Sequence, residues 1–219
     1  MQPENSIKPI IEDRNSRRFA RIYDAMNERS ERKLHDVRWA LFQHVTGNVV
    51  EIGPGTGTNL PFYEAPDHVT LVEPYRAMRK ILANRVDGAC NSDVFSIVDG
   101  RAENVPVDSQ SIDTVVSTLV LCSVPEVDRT LAEIRRILKP NGVLVFLEHH
   151  VGTGPRSTVQ RVLTPFMKKY AANCHLDRNT PRALSNSGFS VQTAITVPND
   201  LSLRALPSWP MTAGIATTS

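Results

Sequence analysis

Cysteine is scarce in this sequence. Its 219 residues hold three, Cys90, Cys122 and Cys174, far apart in the chain, with no Cys-x-x-Cys pair and no Cys/His cluster at zinc spacing. That excludes a disulfide framework and a zinc ribbon, leads us to expect no metal site, and points to reduced thiols in a cytoplasmic protein. Long apolar runs are also missing, and none approaches the roughly 20 residues of a membrane span. The opening stretch MQPENSIKPIIEDRNSRR is polar and lacks the apolar core of a signal peptide. The expectation is a soluble chain with no stable membrane anchor. A charge excess is absent too. The net charge of +2, with no long basic block, argues against nucleic acid as a partner. Repeats, low-complexity segments and a second domain are not visible. The length suits one ordinary domain.

What the sequence does have is alternation. Residues 1–13 read as a tail. Residues 14–46 read as a helical cover, with Phe19, Ile22, Tyr23 and Met26, then Leu34, Val37, Leu41 and Val45, at helical spacing. Short apolar strands follow at Val49–Gly53, Val69–Glu73, Val94–Val98, Ile112–Ser117 and Val143–Glu148. A helix with Met78, Ile81, Leu82 and Val86 on one face separates two of them. Ser123-Val-Pro-Glu126 reads as a capping box for a second helix, striped by Val127, Leu131, Ile134 and Leu138 and ended by Lys139-Pro-Asn-Gly142. Residues 151–180 break the pattern as an insertion on the acceptor side, with a helix over 159–170. A short helix starts at Thr180-Pro181, and late strands are expected at 189–197 and 211–218. Apolar strands alternating with amphipathic helices predict an α/β fold. We expect a doubly wound, mostly parallel seven-stranded sheet with helices on both faces, over 14–219.

The stretch VVEIGPGTGT, residues 49–58, puts three alternating glycines directly after a strand. Such a turn lets a ligand approach the backbone at the carboxyl ends of the strands. A pyrophosphate-binding loop needs Gly-x-Gly-x-x-Gly, and its third glycine would fall at Thr58. Glu73, about twenty residues on, stands where an acid accepts hydrogen bonds from ribose hydroxyls. That position supports a nucleoside without choosing among nucleoside ligands.

The pattern Glu51-x-Gly53-x-Gly55-x-Gly57 resembles the first motif of class I S-adenosylmethionine-dependent methyltransferases. DGRAENVPVDSQSIDTVVS (99–117) and LAEIRRILKPNGVLVFLEH (131–149) resemble later motifs of the same family, in order. The resemblance implies S-adenosyl-L-methionine as cofactor, with Glu51 facing its ammonium group. It assigns cofactor contacts to Gly53, Pro54, Gly55, Thr56, Gly57 and Asn59 in the loop, and to Glu73, Pro74 and Met78 after the second strand. Asp99, Ala102 and Glu103 fall to the adenine side, and Thr118 and Leu119 follow the fourth strand. RIYDAMNE resembles a helix that folds over the cofactor, with Tyr23 at its carboxylate end.

TLVLCSV (118–124) and CHLDRNTPRALSNSGF (174–189) resemble the methyltransferase-like family of alkyl thiol methyltransferases, the second through that family's cysteine-rich segment. The acceptor implied is a small molecule, first of all a thiol. A hydrophobic or quinone-like metabolite methylated on oxygen or carbon is the alternative. Thiol methylation asks for little beyond alignment and help with one proton. His149, with His150 beside it, and His175, with Asp177, are the proton acceptors the sequence offers. Cys122 reads as a small apolar residue below the cofactor, and Phe166, Met167 and Tyr170 as a wall of the acceptor pocket. An NAD(P)-dependent oxidoreductase, disfavoured by Thr58, and a non-catalytic S-adenosylmethionine-binding regulator stay open at this level.

Overall fold

A computed structural model describes residues 14–197 and 210–218. The expected tail over 1–13 and the proline-rich connection over 198–209 lie outside the described residues. Helix α1 spans Arg14–Phe42 and is followed by β1 (Asn48–Ile52), β2 (His68–Val72), α2 (Arg76–Asp87), β3 (Phe95–Val98) and β4 (Ile112–Thr118). Then come α3 (Val127–Ile137), β5 (Leu138–His149), α4 (Pro155–Tyr170), α5 (Thr180–Asn186), β6 (Phe189–Val197) and β7 (Met211–Thr218). The strands form one seven-stranded sheet in the order β3-β2-β1-β4-β5-β7-β6. Only β7 runs against its neighbours. The order reverses between β1 and β4, which is where open α/β sheets bind ligands.

The strands are apolar on both faces because both faces are covered. Val49, Val69, Leu71, Val116 and Val145 share a cluster with Leu34, Leu41 and Phe42 of α1 and Leu82 and Val86 of α2. Val50, Ile52, Val115, Leu144 and Phe146 point the other way, towards Leu131, Ile134 and Ile137 of α3 and Leu184 of α5. Each fully buried aliphatic side chain of this kind contributes about 1.5–3 kcal/mol, which fixes the two-faced strand register.

Two local expectations are corrected. No capping box forms at Ser123-Val-Pro-Glu126. The helix begins at Val127 with Glu126 as N-cap and no side-chain cap bond. The amides of Ser123 and Val124 instead donate to the carbonyl of Val120, so this segment closes a turn over the sheet. Lys139-Pro-Asn-Gly142 does not separate α3 from a later strand. Leu138 already pairs with Ile112, and the register shifts before Thr114 pairs with Val143, so these residues bulge out of β5. Lys139 Nζ reaches both oxygens of Asp113 at 2.8 Å and pins the bulge.

At the other end of β5, Glu148 organises the loop after β4. Its carboxylate is completely buried. One oxygen accepts from Ser117 Oγ at 2.7 Å and from the amides of Val120 and Leu121 at 3.0 Å. Burial pushes its pKa up, and these donors hold it down. The loop they hold includes Leu119, a non-glycine residue at φ 60°, a conformation costing roughly 1–2 kcal/mol. Glu148→Gln keeps an oxygen for the three donors, and its stability should stay within about 1 kcal/mol of wild type. Glu148→Ala orphans these three donors and the Cys122 amide, which donates to the other oxygen at 3.4 Å, and should lose about 3 kcal/mol or more in chemical denaturation. Equal losses in the two variants would show that the hydrogen bonds do not hold the loop.

Candidate active site

The glycine loop leaves β1 with the amide of Gly53 donating to the carbonyl of Val72 at 2.8 Å. Gly55 is the position where glycine matters most. It lies at φ 60°, and a Cβ built there meets nothing within 4 Å, because it would project into open space. Its amide donates to one oxygen of Glu73 at 3.0 Å, and the amide of Tyr75 donates to the other at 2.9 Å. Burial raises the Glu73 pKa to about 7, against the lowering effect of the Tyr75 and Gly55 amides and of Arg79. An acid held this way at a strand end can accept further hydrogen bonds.

The open space is a cavity of about 420 Å³ across the carboxyl edge of the sheet, within the usual range of roughly 300–1,000 Å³ for small-molecule sites. Gly53, Gly55, Glu73, Pro74 and Met78 line it from β1, β2 and α2. Ala102 and Glu103 line it from the segment after β3, and Glu103 is paired there with Arg101 at 3.2 Å. Thr118 and Leu119 line it after β4, and Tyr23 of α1 covers it, with Phe19 edge-on to the Tyr23 ring at 5.4 Å. Burial is the main cause of the raised Tyr23 pKa. From the late insertion come Lys168, Ala172, Asn173 and His175. Burial and the nearby Arg178 and Lys168 charges lower the His175 pKa, which favours the neutral imidazole.

Several expected residues lie around the cavity rather than in its lining. Glu51 does not face it. Its oxygens accept from Asn59 Nδ2 and the Tyr63 hydroxyl, both at 2.7 Å. Asn59 also donates to Thr118 Oγ1 at 2.9 Å and accepts from Arg38. Arg38 is 2% exposed and paired with Glu31 at 2.9 Å. Burial raises the Glu51 pKa, while Tyr63, Asn59 and Arg38 oppose it. The acid therefore binds the glycine loop and α1 to β1, and Thr118 is the member of this network that reaches the cavity.

Thr56 is buried. Its hydroxyl donates to Asp24 of α1 at 2.7 Å, and Arg85 of α2 bridges Asp24 and the Thr56 carbonyl. Pro54 and Gly57 shape the turn through a 2.9 Å backbone bond. Asp99 takes both ends of the Arg79 guanidinium on the exposed side. Asp177 accepts from Thr164 at 3.2 Å, outside the lining. Phe166 and Tyr170, expected as pocket wall, are 59% and 44% exposed on the outer face of α4. Met167 faces inward but packs on Cys122 and Cys174.

His149 is outside the lining as well. The strand ends with its ring against Cys122 and Cys174, behind the cavity wall. His150 is turned to the carbonyl of Val151 at 2.9 Å. Of the expected proton acceptors, only His175 lines the cavity. The insertion carrying it is fastened by Arg178, whose guanidinium donates to the carbonyls of Leu121 and Val124, and by Asn173 Nδ2, which donates to Ser123 O at 2.8 Å.

Arg38, the Asp24–Arg85 latch, and the lining residues Phe19, Lys168 and Asn173 were missed in the sequence. Phe19 had a signal in its i, i+4 spacing from Tyr23. Arg38 and Arg85 had none, since a buried arginine and a solvated one look alike in a helix pattern.

Comparison with known proteins matches this arrangement. Residues 50–146 fit the model of a methyltransferase domain. The chain is 33% identical over 183 residues to thiol S-methyltransferase TMT1B of Rattus norvegicus, covering 78% of this chain and 75% of that one. It is 32% identical over 181 residues to thiol S-methyltransferase TMT1A of Homo sapiens, covering 79% and 72%. A geranyl diphosphate methyltransferase solved in complex with S-adenosylmethionine superposes with a TM-score of 0.67 at 14% identity, covering 94% of this chain and 92% of that one. The loop fits such a cofactor, with Gly55 open towards the cavity and Glu73 placed as acceptor. Among the described residues no helix is long and apolar enough to cross a membrane. The chain belongs to the S-adenosylmethionine-dependent methyltransferases, in the family that includes TMT1A and TMT1B.

Proposed function

We propose that this enzyme methylates the sulfur of a small thiol in the cavity between the glycine loop and the residue 168–175 segment. The observation that carries the reading is the likeness to thiol S-methyltransferases over more than three quarters of the chain. A neutral imidazole, His175, in the cavity lining supports it. When bound, S-adenosylmethionine supplies a methyl group on a sulfonium, whose leaving group is a neutral thioether. Gly55 leaves room for it, Glu73 accepts from its ribose hydroxyls, and Ala102 and Glu103 flank its adenine. Tyr23 covers the site and limits water.

The acceptor thiol needs to lose one proton. A thiol of ordinary pKa, about 8.5, is only about 3% thiolate at pH 7. His175 takes that proton as the sulfur bonds to the methyl carbon, and passes it to solvent after the thioether forms. The gain available from proton removal is therefore bounded at roughly 30-fold. Oxygen acceptors, with much higher pKa values, would need a stronger base than a single imidazole.

Methyl transfer to a panel of alkyl thiols, aryl thiols, phenols and quinols tests the assignment. Thiols should react, and His175→Gln should lower kcat/KM about 10- to 30-fold for alkyl thiols. Aryl thiols, already thiolate at neutral pH, should change less than about threefold. Turnover of phenols or quinols without thiols would replace the thiol reading.

Cofactor affinity should also depend on pH through Glu73. Ribose hydroxyls bind the ionised carboxylate, and this acid titrates at about 7 in the free protein. Affinity should be full above that pH and fall as pH drops through it, by up to about tenfold per unit. Stability has the opposite slope. A folded pKa above the unfolded value of 4.5 means that the Glu73 contribution is full below pH 4.5 and is lost as pH rises to about 7. Calorimetric titration of S-adenosylhomocysteine between pH 5.5 and 8.5 measures the first effect. Glu73→Gln should bind more weakly above pH 7 and show a flat profile. The same slope in wild type and variant would remove Glu73 from the ribose role.

A further inference from the structure

Three side chains left without a task by methyl transfer meet behind the acceptor wall. Cys122 follows β4, His149 ends β5, and Cys174 follows α4. One ligand atom from each lies within 4.8 Å of the other two. The Sγ atoms are 3.8 Å apart, and the cysteines are 1% and 6% exposed. His149 Nδ1 is buried and makes no hydrogen bond of ordinary geometry among the described residues, the ring's polar partner being the Cys122 thiol.

We propose that Cys122, His149 and Cys174 bind a zinc ion. Two thiolates and an imidazole are a soft nitrogen–sulfur donor set that suits zinc. Thiolates about 2.3 Å from a tetrahedral ion stand about 3.8 Å from one another, which is the Sγ separation found here. A buried ring nitrogen whose polar partner is a weakly bonding thiol leaves room for a stronger one, such as an ion.

Packing with Leu176 and Met167, with weak thiol hydrogen bonds from Cys174 to Cys122 and between Cys122 and His149, is the metal-free alternative, and the titration below separates it from zinc. A disulfide would need an oxidant and would close the sulfurs to about 2.05 Å. On zinc binding each thiol releases its proton to solvent as its sulfur–zinc bond forms, and the imidazole binds neutral. Three protein ligands leave one tetrahedral position for water.

The ligands sit among cavity residues. Ser123 follows Cys122, and Asn173 and His175 flank Cys174, all three in the lining. Ala172 and Asn173 take positive φ values of 46° and 62°, a strained turn that needs holding. The ion clamps this turn and His175 against the loop after β4.

The test uses the full chain, reduced, stripped with a chelator, and titrated with zinc against a chromophoric competitor. One equivalent should bind with Kd below about 1 μM, and zinc should raise the Tm. Cobalt loading of the wild type should give sulfur-to-cobalt charge-transfer bands of two thiolates, a readout independent of any variant's folding. Cys122→Ser and Cys174→Ser should lose these bands, while Cys90→Ser, at an exposed cysteine, should keep them. Uptake below about a tenth of an equivalent by the reduced chain would overturn the site. So would binding unchanged in both serine variants, or a Cys122–Cys174 disulfide in a chain that takes up no zinc once reduced.

Discussion

A carboxylate can be buried at the end of a strand only if donors come to it, and the loops over this sheet are built around three that are. Glu51 on β1 draws in Asn59 and Tyr63. Glu73 after β2 draws in the amides of Gly55 and Tyr75. Glu148 on β5 draws in Ser117 and the amides after β4. Each acid is raised in pKa by burial first and restrained by its donors. Of the three, only Glu73 lines the cavity. The other two hold the walls, so the positions of Thr118 and Leu119 follow from acids that do not line the cavity.

The two sides of the cavity are made differently. The cofactor side comes from short loops between parallel strands, latched by Asp24 and Arg85 across Thr56. Its form follows from the sheet order. The acceptor side comes from the segment after α4, inserted between β5 and α5. The His175 amide, which donates to the carbonyl of Cys122 at 2.8 Å, fastens it together with the side chains of Arg178 and Asn173.

The sequence was informative where periodicity and local spacing decide structure. The strands with both faces apolar, from Val49 to Leu147, predict the sheet, and the glycine spacing with Glu73 marks residues that the structure sets in the cavity lining. It was misleading where the same residue type serves two purposes. Ser123 and Glu126 have capping-box spacing, but the backbone of Ser123 is used to close a turn over the sheet. The resemblance sets Glu51 against the cofactor's ammonium group, whereas its parity on β1 turns it towards α1, Asn59 and Tyr63. His149 stands at a strand end, where the pattern predicts an active-site base, and the structure puts it behind the wall. The cysteine–histidine cluster was illegible because its members are 27 and 25 residues apart in sequence, and only the fold brings them together.

The central claim is that the cavity floored by Gly55 holds the cofactor. Calorimetric titration of S-adenosylhomocysteine into wild type and Gly55→Arg tests it most directly, with circular dichroism as the check on folding. The substitution costs about 1–2 kcal/mol for its left-handed backbone and sends the side chain into the open cavity. The account predicts micromolar binding by wild type and no detectable binding by the folded variant. Equal affinity in the two proteins would contradict it.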